Sequence, residues 1–182
     1  DWIVKYLVDN SLGRILINKY PEIKAKISLD YYSENEDHQF EGKNINLLEE
    51  IEFCDPACGS GHMLTRAFDL FYIAYQEQGY SAKETVKNII GKNLYGMEIS
   101  GRAGSLAAFA LFMKAKEKYK RFFSHPTQPN ICVFEDITIF ENDSKEATKE
   151  IEPEAQDFIS YLSNISNFGS LVKIDFDKDV FL

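Results

Sequence analysis

The sequence has little that would tie it to an oxidising compartment or a membrane. Its three cysteines, Cys54, Cys58 and Cys132, are an odd number without framework spacing, which points to a reducing, cytoplasmic setting. The longest uninterrupted apolar run, Leu106 to Met113, is far short of a spanning helix, and no basic, apolar leader opens the chain at Asp1-Trp2. No membrane association is expected. Positive charge is also scarce: 20 Lys and Arg stand against 29 Asp and Glu, for a net charge of −9. No overall basic field draws in nucleic acid, so any such contact must come from a local patch or from another part of the protein. Prolines number five, and each is isolated.

What is present is one domain's worth of chain. The 182 residues are 45% hydrophobic and 14% aromatic, and a domain of this size buries roughly 70% of its unfolded surface without disulfide or metal staples. Ile3, Val4, Leu7, Val8, Leu12, Ile15 and Leu16 recur at spacings of three and four, predicting an amphipathic helix over 2–20 with Gly13 as a potential break. Residues 21–50 read as a polar connector. Ile51 to Asp55 is a short strand that stops at Pro56 and passes through Gly59-Ser60-Gly61 into a helix from His62 to about Gln78. Ser81 with Glu84 three residues on forms a capping box for a helix reaching Asn93.

Leu94 to Ile99 is the second strand. The next helix, from Gly101 to about Phe122, is apolar nearly all round in its first half, which predicts burial. Its basic end, Lys114 to Arg121, suits the negative end of the helix dipole, or a DNA phosphate. Asn130 to Glu135 is a third strand, and Phe158, Ile159, Leu162 and Ile165 mark one more amphipathic helix. Strand, helix, strand, helix, strand predicts an α/β fold with a parallel sheet.

Asp55-Pro56-Ala57-Cys58-Gly59-Ser60-Gly61 lies where the first strand gives way to a helix, the place where α/β sheets bind ligands. A triphosphate-binding P-loop needs a lysine directly after the last glycine, and none follows Gly61 until Lys83. A dinucleotide fold wants a third glycine where Leu64 stands, and an acid about 20 residues on where the second strand only later ends in Glu98. A smaller adenosine-bearing ligand with a carboxylate remains, and S-adenosylmethionine fits that description. Cys54, Cys58 and His62 have C-x3-C-x3-H spacing, but a strand-to-turn path does not readily bring them to one metal and no fourth ligand is evident.

Phe53-Cys54-Asp55-Pro56-Ala57-Cys58-Gly59-Ser60-Gly61-His62-Met63-Leu64 resembles motif I of the N6-adenine DNA methyltransferases, and Asn93-Leu94-Tyr95-Gly96-Met97-Glu98-Ile99 resembles their motif II. The segment from Trp2 to Gly13, the helix Leu106 to Leu111 and Phe168-Gly169-Ser170-Leu171 are similar to the large BREX-type (phage-growth-limitation) adenine methyltransferases and related type II restriction-modification enzymes. The resemblance implies a Rossmann-like methyltransferase fold, here a partial sheet with helices on both faces and an N-terminal helical extension. Residues 1–50 would form the extension and connector, and 51–182 the cofactor-binding half.

It further implies S-adenosylmethionine as cofactor, held by Asp55, Pro56, Ala57, Cys58, Gly59, Ser60, Gly61, Glu98, Ile99 and Asp136. Glu98, when ionised, complements a ribose diol, and its loss should weaken binding roughly ten- to a hundredfold. Asp55 would anchor the loop or the methionine amino group, and Asp136 would accept from the adenine amino group. The implied substrate is double-stranded DNA, reached through the full-length protein, with defence-system subunits as further partners.

The family's Asn/Asp-Pro-Pro-Tyr/Phe motif, which handles the target adenine, has no counterpart, because no Pro-Pro occurs. The expectation is therefore a cofactor-binding fragment that ends before that motif and does not catalyse alone. Two rivals stand beside this reading: a methyltransferase acting on RNA or protein, and a non-catalytic interaction module that retains the fold.

Overall fold

The computed structural model describes residues 2–33 and 47–134. Asp136, Glu135 at the end of the expected third strand, the expected helix around Phe158 to Ile165, and Phe168 to Leu171 lie outside the described residues.

The chain opens with α1 (Trp2–Val8), a π-helical turn (Asp9–Gly13) and α2 (Arg14–Lys19). Gly13 does not break this helix, since its φ of −56° stays helical. The wide turn instead brings Asp9, Leu12 and Gly13 together into the interior. Residues 21–50 are more than a connector where they are described: Pro21–Ala25 and Leu48–Glu50 form 3-10 turns that bury Ile23 and Leu48.

β1 (Phe53–Asp55) leads to α3 (His62–Glu77), α4 (Ala82–Asn88), a second π-helical turn (Ile89–Asn93) and β2 (Leu94–Glu98). α5 (Gly101–Lys118) then returns the chain to β3 (Asn130–Val133). The three strands are parallel in the order β1-β2-β3, with Asp55 opposite Gly96 and Glu98 opposite Val133. α3 buries Leu64, Ala67, Phe68, Phe71, Ala74 and Tyr75, a stripe at spacings of three and four that makes the central layer of the core. Ser81 caps α4 as expected: its hydroxyl accepts from Glu84 N at 3.3 Å, and Glu84 accepts from Ser81 N at 3.2 Å.

Two polar devices fasten these layers. Asn93, fully buried, donates to the carbonyls of Leu48 and Ile51 at 2.8 Å each and accepts from the Tyr75 hydroxyl at 2.9 Å. Asp9, also fully buried, accepts from Arg66 Nε and Nη2 at 2.9 and 2.7 Å, which ties the N-terminal helix to α3. Burial pushes the Asp9 carboxyl up from its ordinary range against the pull of Arg66.

Because the strands follow one another in sequence order, right-handed crossovers put α3 and α5 on the same face of the sheet, where they pack together. Among the described residues no helix covers the other face, and Cys54, Met97 and Cys132 are exposed there. The expectation of helices on both faces is met on one. α5 likewise departs from its expected burial. It inserts Gly104, Ala107, Leu111 and Ala115, while Leu106, Phe109 and Met113 stay 56%, 59% and 48% exposed. One stripe is enough to seat a helix on a sheet, and Gly104 allows an approach so close that a Cβ would lie 2.6 Å from Val133 Cγ2. α5 also ends at Lys118 rather than near Phe122, because Tyr119 turns extended at φ −132°, ψ 100°.

Candidate functional site

The glycine loop forms over the carboxyl ends of β1 and β2. Asp55 closes β1 with a buried side chain whose Oδ1 accepts from Ala57 N at 3.2 Å, so it anchors the loop from beneath. Cys58 N donates to the Met97 carbonyl at 2.9 Å and pins the loop to β2. The Cys58 side chain is buried, and burial pushes its thiol up, as suits a small packing residue. Pro56, Ala57 and Ser60 are exposed on the outside of the turn.

Both loop glycines are left-handed, Gly59 at φ +53° and Gly61 at φ +84°. Their surroundings differ. A Cβ on Gly59 would meet nothing within 4 Å, whereas one on Gly61 would lie 3.0 Å from Ala107 Cα of α5. Gly61 therefore lets the loop rest on α5, and Gly59 faces open space where a ligand can approach. Gly61 is also the N-cap of α3 and provides no side-chain cap, so the first-turn N–H groups and the positive end of the helix dipole are left to attract an anion.

Glu98 ends β2 and reaches across to the loop. Its Oε2 accepts from Gly59 N at 2.7 Å, and its Oε1 from Ile99 N and Ser100 N at 2.9 Å each. These backbone donors hold the carboxyl below the usual glutamate range, the Ser100 and Gly59 bonds leading. A carboxylate has about four lone-pair sites, so Oε2 keeps one acceptor place beyond Gly59. Ile99, next in sequence, is 83% exposed beside it.

The structure thus brings Asp55, Cys58, Gly59, Gly61, Glu98 and Ile99 to one end of the sheet, while Asp136 lies outside the described residues. The sequence reading gave Glu98 to a ligand alone and missed that it first latches the loop. It also missed Gly96, where a Cβ would lie 2.8 Å from Ile131 Cδ1 and 3.0 Å from both Cys58 Sγ and Leu64 Cδ1. A lone glycine inside a strand was the available signal for such a close approach. The cysteines point apart, Cys54 exposed and Cys58 buried, and among the described residues no three His, Cys, Asp or Glu groups converge for a metal.

Comparison with known proteins agrees with these motifs. Residues 32–145 match the protein family described as MmeI, DNA-methyltransferase domain. The chain is 38% identical over 144 residues to the adenine-specific methyltransferase PglX of Lacticaseibacillus casei, an alignment covering 72% of this chain and 12% of that protein. It is 34% identical over 139 residues to the adenine-specific methyltransferase BrxX of Escherichia coli O9:H4, with 72% and 12% covered. A putative type II restriction enzyme and methyltransferase of Methanocaldococcus jannaschii is 29% identical over 134 residues, with 62% and 11% covered. The chain therefore spans about an eighth of the length of these relatives.

Proposed function

The chain belongs to the MmeI DNA-methyltransferase domain family, and on that premise we propose that it is the S-adenosylmethionine-binding part of an enzyme that methylates N6 of adenine in double-stranded DNA. The setting we propose is a restriction-modification or phage-defence system with further protein subunits. The observation that carries the reading is the Glu98 carboxylate drawn onto Gly59 N at 2.7 Å, which joins the motif I loop to the end of motif II in one anionic, hydrogen-bonded rim.

The residues present fit this cofactor. Gly59 leaves space at the loop, the uncapped start of α3 suits a carboxylate, and Glu98 is an ionised acceptor of the kind a ribose diol requires. S-adenosylmethionine, when bound, supplies an activated methyl group. Asp55 through Gly61 would hold its methionine end, Glu98 its ribose and Ile99 its adenine face, with Asp136 assigned to the adenine amino group. The role of this chain in catalysis is then to fix the donor in place. Asp55 keeps the loop seated, and Glu98 orients the ribose without moving a proton, because its carboxyl is ionised throughout the neutral range.

The test is methyl transfer by the protein carrying this chain. It should convert adenine in duplex DNA to N6-methyladenine, read by mass spectrometry of the digested DNA, and Glu98→Ala should slow transfer at limiting S-adenosylmethionine. Methylation of RNA or protein alone would overturn the assignment of substrate.

A further inference from the structure

α5 has two unlike faces. Gly104, Ala107, Leu111 and Ala115 are buried against the sheet and α3, whereas Leu106, Phe109 and Met113 recur at spacings of three and four on the opposite side and are exposed. Among the described residues nothing encloses that outer stripe. Three large apolar side chains gain nothing from standing together in water, and contiguous exposed apolar groups of this kind mark contact surfaces.

Charge at the two ends of the stripe says what fits it. Arg102 stands one turn before Leu106 and Glu117 one turn after Met113, both exposed. Among the described residues Arg102 makes no ion pair, and Glu117 pairs with its sequence neighbour Lys118 at 2.8 Å, a surface contact worth little. Lys116, on the same side of the helix, is already engaged: its amine donates to the Lys120 carbonyl and lies 5.6 Å from the centre of the Phe123 ring. Lys114 is held by Asp69 at 2.6 Å. Along its length the face therefore presents a cation, three apolar groups and an anion, an order complementary to itself. When a second α5 is laid antiparallel on the first about a two-fold axis beside Phe109 and Ala110, Leu106 comes opposite the partner's Met113 and Arg102 opposite the partner's Glu117. A parallel pairing would set each charge against its own kind.

We propose that the outer face of α5 is a homodimer contact, through which two copies of this chain pair antiparallel on Leu106, Phe109 and Met113, with Arg102 and Glu117 meeting at each end. The 18-residue helix is about 27 Å long, and a single helix pair of that length lies at the small end of specific interfaces, so the dimer is reversible and of micromolar rather than nanomolar affinity. The net charge of −9 on each copy opposes pairing, a repulsion that physiological salt screens beyond about 8 Å. The inference stands apart from the cofactor reading, since it uses none of the loop residues.

The experiment is sedimentation velocity of the chain over a concentration series at physiological salt, with Phe109→Glu, Arg102→Glu, Glu117→Arg and the double reversal R102E/E117R. Circular dichroism of each variant checks the fold, which exposed positions such as these should leave intact. The expected result is a monomer–dimer equilibrium that Phe109→Glu abolishes, that either single reversal weakens roughly tenfold or more, and that the double reversal restores. Restoration requires contact between copies, because Arg102 and Glu117 lie about 22 Å apart along one helix and cannot meet within it. A chain that stays monomeric at every concentration overturns the proposal and leaves the stripe to another part of the protein that carries it. A dimer indifferent to Phe109→Glu, or one that the double reversal fails to restore, overturns it equally.

Discussion

Removing the Glu98 carboxylate leaves the N–H groups of Gly59, Ile99 and Ser100 without their acceptor. Glu98→Ala should therefore weaken S-adenosylmethionine binding by roughly ten- to a hundredfold, combining a lost ligand contact with a loosened loop. The sign of the pH dependence follows from the same bonds. A carboxyl held below its ordinary value of 4.5 contributes fully above that value and is lost as pH falls through its lower, folded-state value. Cofactor affinity should hold from neutrality down to pH 4.5 and decline only below it, a profile that titrations at stepped pH would read.

Gly96→Ala places a methyl 2.8 Å from Ile131 Cδ1 in a filled interior, which should destabilise by about 1–3 kcal/mol in urea unfolding. Asp9→Ala takes the carboxylate away from a largely buried Arg66, which keeps only the Ser28 carbonyl at 2.8 Å, and should cost about 3 kcal/mol, with Asp9→Asn milder because an amide oxygen still accepts. Asp55, Gly59, Gly61 and Glu98 were legible because their motifs are contiguous in the chain. The Asp9 to Arg66 pair and the packing of Gly96 were not, since each depends on residues far apart in sequence meeting through the fold.

Among the elements, α5 carries the most consequence for the site. Ala107 lies against Gly61, so the small side chain on the helix and the left-handed glycine in the loop are matched. Ala107→Leu should push the loop outward and weaken cofactor binding while leaving the helical circular dichroism signal intact. Element order and type could be read from periodicity and turn residues, and the Ser81 cap from its spacing to Glu84. What periodicity missed was the degree of burial of α5. A helix apolar nearly all round in its first half reads as enclosed, yet among the described residues it buries the Gly104, Ala107, Leu111 and Ala115 stripe, with Phe112 packed beside it, and leaves Leu106, Phe109 and Met113 exposed. The π-helical turns at Asp9–Gly13 and Ile89–Asn93 were equally invisible, since one extra residue in a turn leaves the local pattern of apolar residues nearly unchanged.

At the scale of the molecule, the parallel sheet separates two chemistries. The carboxyl ends of the strands gather the glycine loop and an anionic rim, and the other end gathers Lys83, Lys87 and Arg121 around one cleft. Net charge hid the second of these, because a sum of −9 says nothing about where twenty cations lie. Among the described residues, the placing of α3 and α5 on one face of the sheet follows from strand order, which the sequence pattern does not specify. The account as a whole turns on the loop end being a cofactor site. Calorimetric titration of the chain with S-adenosylmethionine tests that most directly, with Glu98→Ala as the control. Saturable binding at one equivalent, weakened roughly ten- to a hundredfold in the variant, is the predicted result. A folded chain that gives no binding heat at any temperature tried, or one whose affinity is indifferent to Glu98→Ala, would contradict it.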